Sequence, residues 1–187
     1  MIQRYDREAI KQRYNDGEPL QFVFFWGPGE SKLPKACFNQ WHNAAFHHNN
    51  FLYANAEQAM MAEKAYMFKD FGTLQQILDC VSPRAVKALG RMVQNYNDTQ
   101  WAAGRLQLVV DINYEKFSQN HDMRENLLAT GQSILVEASP VDQVWGIGLV
   151  ETNDWAKNPN LWRGTNLLGE ALMIVREQLR QEEDDDV

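Results

Sequence analysis

The chain has 187 residues, 44% of them apolar, which is enough for one domain with a real core. Its formal charge of −7 is concentrated in Glu182, Glu183, Asp184, Asp185 and Asp186; without these five, the remaining 20 acids nearly balance the 18 bases, so the body offers no electrostatic case for general duplex binding. Two cysteines, Cys37 and Cys80, make no disulfide framework, and His42, His47, His48 and His121 lack the H-E-x-x-H or C-x-x-C spacing of a metal site.

In chain order, Gln21 to Trp26 is a short apolar run closed by Gly27-Pro28-Gly29, which predicts a buried strand and a turn. Residues 30–52 have no clear period and read as an irregular segment with room for a second short strand. Asn55 is placed as an N-cap with Gln58 in the capping-box position, and Ala56 to Lys69 should be helical. Ser82-Pro83 opens another helix, running to about Val93. A long helix is predicted from Asp98 or Thr99, because Leu106, Val109, Val110, Tyr114 and Phe117 recur at three- and four-residue steps. Asp122 with Glu125 opens a short helix that Gly131 ends, and Ile134 to Glu137 is strand-like.

Residues 138–165 hold three Trp, three Gly and two Pro, a long loop-rich stretch of the kind that carries function more often than decoration. Leu168, Leu172, Val175 and Leu179 then make a closing amphipathic helix. The expected fold is mostly α with a small β-sheet (α+β). It forms a single domain over residues 1–181, followed by a solvated, disordered acidic tail over 182–187. No apolar run resembles a signal peptide or reaches membrane-spanning length, so the expectation is a cytoplasmic protein with no membrane partner.

Three constellations have the residue types for chemistry. Glu57 and Lys64 lie almost two turns apart on one face of a predicted helix, with Met61 between them and Phe68 beyond. An ordinary account also fits: an acid in a first turn favoured by the helix dipole, and a lysine whose stem packs while its charge stays in water. Arg84, Lys87 and Arg91 share a face of the next helix, which suits a phosphate contact or simply a solvated surface. Asp142 stands three residues before Trp145, which is followed by Gly146 and Gly148. Glycines let a backbone approach a ligand and Trp stacks on a base, although a strained loop around a core Trp would look similar. No P-loop, G-x-G-x-x-G or Ser-His-Asp order is present, and no cofactor is expected.

Taken in order, Phe24-Phe25-Trp26, Phe38-Asn39-Gln40-Trp41 and Tyr53-x3-Glu57-x6-Lys64 resemble the first half of the NADAR (YbiA-like) family. Ser82-Pro83 to Gly90-Arg91, a lone Trp101, Asp142-x2-Trp145-Gly146-x-Gly148 and Trp162-x-Gly164-x-Asn166-x2-Gly169 resemble the second, so the likeness spans about residues 22–180. It implies a YbiA-like fold and an enzyme that hydrolyses N-glycosidic bonds. The implied substrates are small phosphoribosyl molecules, the phosphoribosylamino intermediates of riboflavin synthesis, or ADP-ribosyl groups on guanine, including guanine in nucleic acid.

By residue, the resemblance carries the essential carboxylate to Glu57, the helix lysine to Lys64 and the acid ahead of the Trp-Gly pair to Asp142. It carries the functional aromatics to Trp101 and Trp145, and Gly146, Gly148, Arg84, Arg91 and Asn166 complete the expected substrate-binding set. Asn39 stands where Ser is usual and Met61 where Gln is expected, departures that bear on substrate detail. A non-catalytic module binding ADP-ribose or an NAD-related nucleotide would need the aromatic and basic groups but not Glu57; an all-helical interaction protein would need neither.

Overall fold

A computed structural model describes residues 4–27 and 35–185. In chain order the described elements are α1 (Arg7–Asn15), β1 (Phe22–Phe25), β2 (Phe46–His48), β3 (Phe51–Tyr53), α2 (Ala56–Met67), α3 (Phe71–Leu78), α4 (Pro83–Arg91), α5 (Asp98–Ser118), α6 (His121–Leu128), β4 (Ile134–Glu137) and α7 (Leu167–Asp185). This is the mostly helical α+β architecture expected of the sequence. Residues 28–34, which include the end of the Gly27-Pro28-Gly29 turn, lie outside the described residues.

The sheets are minimal. β1 and β4 run parallel, with Phe22 opposite Ile134 and Phe25 opposite Glu137, while β2 and β3 form an antiparallel hairpin. Asn49 and Asn50, at φ 47° and 67°, make the hairpin turn; Asn tolerates this left-handed region better than most residues. α5 packs against α7 and α2, and α7 covers β4. Their shared core includes Val109, Ile112, Phe117, Leu135, Leu172 and Val175, all fully or almost fully buried.

Capping follows the sequence closely at α2, where the Asn55 side chain accepts the Gln58 N–H at 3.0 Å. The Gln58 amide turns instead to the Ala54 N–H (2.8 Å) and to the carbonyls of Ile77 and Cys80, tying α2 to the end of α3. α6 begins at His121, with Asn120 rather than Asp122 in the N-cap position. α4 starts at Pro83, but Ser82 makes no capping bond.

The acidic tail departs from expectation. α7 continues through Asp185, so residues 182–185 are helical, and 186–187 lie outside the described residues. Tertiary contacts explain the extension: the Tyr114 hydroxyl donates to Glu182, and the Arg124 guanidinium lies 3.8 Å from Glu182 and 3.4 Å from Glu183. Charge repulsion along the run is thus offset by a cation from α6.

Candidate active site

The C-terminal ends of the paired parallel strands open onto one cavity of ≈ 740 Å³, the end at which larger parallel sheets also bind ligands. β1 delivers Trp26 to its rim and β4 delivers Glu137 to its wall. α2, α4, α5, the Asn39, Gln40 and Trp41 segment, Tyr96, the loop after β4 and Leu168 of α7 supply the remainder. Glu57, Lys64, Arg91, Trp101, Asp142 and Trp145, all picked out in the sequence, line this space together.

Glu57 occupies the first turn of α2 and is only 3% exposed. Its N–H donates to the Gln40 carbonyl at 3.0 Å, which joins the helix start to the segment carrying Trp41. Burial pushes the carboxyl pKa up; Lys87, a hydrogen bond from the Trp41 side chain and Arg91 pull it back, and the Asp142 charge adds to the rise. One oxygen, Oε1, is buried without a partner among the described residues. A carboxylate held short of its full complement of hydrogen bonds is poised to meet positive charge on a ligand.

Lys64, two turns further along α2, donates to the Gly90 carbonyl at 2.7 Å, and its Nζ lies 4.4 Å from the Tyr96 ring centre and 5.7 Å from that of Trp101. Burial alone lowers its pKa, with no carboxylate contributing. Lys64 is therefore not the partner of Glu57; its surroundings are aromatic rings and one carbonyl.

Asp142 spends one oxygen on the scaffold. Its Oδ1 accepts the N–H groups of Val144 (2.9 Å) and Trp145 (2.8 Å), and its carbonyl accepts Gly148 N–H at 3.1 Å. The acid ahead of the Trp-Gly pair thus folds the loop that presents Trp145.

Four of the expected binding residues do not line the cavity. Gly146 and Gly148 permit close backbone packing. A Cβ on Gly146 would stand 2.8 Å from the Glu137 carbonyl oxygen, and one on Gly148, at φ +69°, would stand 2.9 Å from the Arg163 Cβ. Asn166, 1% exposed and at φ 59°, bridges the start of α7 to β4: its Oδ1 accepts Glu137 N–H at 3.0 Å and its Nδ2 donates to the Leu135 carbonyl at 2.9 Å. Arg84 points to solvent from the first turn of α4, whereas Lys87 and Arg91, later on the same helix, reach the cavity.

Asn166→Ala is therefore expected to destabilise the fold by about 2–4 kcal/mol, since it orphans two buried backbone groups and puts Ala in a left-handed conformation. Urea unfolding monitored by circular dichroism measures this. A loss below about 0.5 kcal/mol would show that the bridge carries no weight.

Glu137, Trp41, Arg105 and Tyr96 also line the cavity, although they are not among the site residues expected from the sequence. Glu137 had a visible signal: it is the one acid closing the apolar run Ile134-Leu135-Val136. Among the described residues, no group of three or more His, Cys, Asp or Glu side chains is placed to hold a metal ion, and no helix is long and apolar enough to cross a membrane.

The structure is similar to the NMR structure of the E. coli protein YbiA, with a TM-score of 0.70 over 87% of each chain at 24% identity, which shows a shared fold. An N-glycosidase of Acanthamoeba polyphaga mimivirus is 40% identical over 171 residues, covering 88% of this chain and 99% of its own length. A riboflavin biosynthesis protein of Vibrio vulnificus is 31% identical over 118 residues, 63% of this chain but only 29% of that protein. The NADAR domain matches residues 24–180. With that match spanning most of its length and a near full-length relative at 40% identity, the chain belongs to the NADAR domain family.

Proposed function

We propose that the chain hydrolyses the N-glycosidic bond between a nitrogenous base or amine and a phosphorylated ribose. The chain is an enzyme, an N-glycosidase of the NADAR family, and the observation that carries this reading is the buried, incompletely bonded Glu57 carboxyl facing a cavity lined by aromatic rings and cations. Breaking such a bond builds positive charge on C1 and O4 of the ribose. A carboxylate beside that centre, in a site of low dielectric, stabilises the charge far more than water would. A non-catalytic nucleotide module has no need to bury an unpartnered carboxyl, which costs stability.

The other groups divide the remaining work. Trp145 and Trp101, both lining the cavity, offer faces for the leaving base. Arg91, Arg105 and Lys87 suit the phosphate of the sugar. Lys64 acts as nucleophile: with its pKa lowered by burial, its neutral amine can donate one N–H to Gly90 and still turn its lone pair to C1. As the Lys64 Nζ–C1 bond forms, the C1–N bond to the base breaks; an amine proton then passes to O4 as the C1–O4 bond opens, and water hydrolyses the resulting imine to free lysine and sugar.

Two observations support the substrate class. The riboflavin-biosynthesis role in the name of the Vibrio relative supports a phosphoribosylamino compound; a cavity of ≈ 740 Å³ with several aromatic rings also has room for an ADP-ribosyl group. Mass spectrometry after incubation with a phosphoribosylaminopyrimidine and with ADP-ribosylated guanosine separates them. Free sugar phosphate from the first, or free ADP-ribose from the second, is the expected result; no cleavage of either would overturn the substrate class.

Trp145→Ala is expected to weaken substrate binding by about 1–3 kcal/mol and to abolish part of the ligand-induced quenching of Trp fluorescence, as for base–aromatic stacks. An Ala variant that is folded and binds like wild type would remove Trp145 from the contact.

A further inference from the structure

We propose that Glu137 is a second catalytic carboxyl, the acid that gives a proton to the departing nitrogen while Glu57 faces the sugar carbon. This rests on the N-glycosidase reading above. Glu137 is the last residue of β4 and its side chain lines the same cavity as Glu57, with Oε2 buried and without a partner among the described residues.

Its backbone is fixed from three sides. The N–H donates to Asn166 Oδ1 at 3.0 Å, the carbonyl accepts Ile147 N–H at 2.9 Å, and the residue pairs with Phe25 in the parallel register. Among the described residues, however, no side chain holds its carboxyl in an orientation spent on the scaffold. Asp142 differs in this respect, because its Oδ1 is engaged by two loop amides. A group carried on rigid strand backbone with its functional end unspent has the arrangement a proton donor needs.

The surroundings decide which carboxyl keeps a proton. Glu137 faces Glu57 from α2, Asp142 from the following loop and Lys87 from α4. Glu57 faces Lys87 and Asp142 too, and in addition Arg91 and the Trp41 side-chain donor. Neighbouring carboxyls in a poorly solvated site do not both ionise readily. The one with two cations and a donor holds the charge, and the one with a single shared cation holds the proton. Burial, reinforced by the Asp142 and Glu57 charges, accordingly pushes the Glu137 pKa up to about 8.

The step balances without a co-reactant other than water. As the C1–N bond breaks, its electron pair stays on nitrogen, which takes the proton from the Glu137 carboxyl. Water later supplies the oxygen at C1 and returns a proton to the Glu137 carboxylate, so one water is consumed and the acid is regenerated.

Glu137→Gln and Glu137→Asp test the assignment against wild type, with kcat, ligand affinity and the pH profile measured on whichever substrate wild type cleaves. The Gln variant is expected to lose about 10²–10⁴-fold in kcat with ligand affinity unchanged. The Asp variant should recover part of the rate together with the fall in activity on the alkaline side. A Gln variant within a few-fold of wild type, or one that loses binding and turnover in equal measure, would overturn the proposal. Should the Gln variant fail to fold, 13C-carboxyl NMR of wild type labelled at Glu decides instead: Glu137 protonated at pH 7 supports it, and Glu137 ionised there sinks it. Wild-type inactivity on every substrate would fault the N-glycosidase reading itself, whereas an active wild type beside an unimpaired Gln variant faults Glu137 alone.

Discussion

Glu57→Gln is expected to cut turnover by about 10³-fold or more while leaving fold and substrate binding in place. The substitution keeps the shape of the side chain, its place in the first turn of α2 and an oxygen to accept from the Trp41 side chain. What disappears is the charge that meets C1 and O4 as they become positive. Because burial raises the Glu57 pKa in the folded chain, the carboxyl opposes folding increasingly as pH rises above its ordinary value. The Gln variant should therefore melt at or above the wild-type temperature at pH 8, when scanned by calorimetry. Retained turnover within a few-fold would remove Glu57 from the mechanism, and a large drop in melting temperature would recast it as a structural residue.

The second large effect concerns Lys64. Borohydride added during turnover should reduce the imine and leave a covalent sugar adduct, visible as added mass on the intact protein and mapping to Lys64. Lys64→Arg should lose both the adduct and the activity, because a guanidinium stays protonated and has no lone pair to offer. The contacts of Lys64 with the Gly90 carbonyl and the Tyr96 ring also suit an ammonium. The Arg variant is what separates the two roles: a cation that only anchors phosphate would be replaced by Arg with activity largely kept.

The sequence shows the parts of this fold that repeat a period. α5 and α7 lie close to where the spacing of their apolar residues puts them, α2 where its Asn55 cap puts it, and β4 at the apolar run Ile134-Leu135-Val136. α1 was invisible for a physical reason: only Ile10 of its nine residues is buried, so no stripe exists to read, and its stability rests on the Asp6 cap and on packing. α3 is preceded by Asp70, whose side chain caps Thr73 N–H at 3.1 Å, but its Phe71 is exposed and blurs the pattern. The three Trp of the 138–165 stretch turn out to do three different things. Trp145 lines the cavity, Trp155 is about half exposed, and Trp162 is buried with its indole N–H on the Ala156 carbonyl.

The site was legible in a similar, uneven way. Glu57 and Lys64 announce themselves by sharing a helix face, which local geometry alone dictates. Gly146, Gly148 and Asn166 stand in the right motifs, but their work is to pack the loop and the start of α7 onto β4. Sequence order cannot distinguish a residue that touches a ligand from one that holds its neighbour. Glu137 and Trp41 were missed because their roles come from contacts across the fold, with strand β4 and the segment before α2 brought to the same cavity as Glu57.

The central claim is bond cleavage rather than binding, and proton NMR of the substrate during incubation with wild-type protein tests it most directly. The anomeric signal of the N-glycoside should decay as a free-sugar anomeric signal and the free base grow in equal amounts, with Glu57→Gln showing neither change. Ligand signals that broaden on binding, with the N-glycosidic anomeric proton undiminished after many equivalents of enzyme-hours, would contradict the account and leave a nucleotide-binding module in its place.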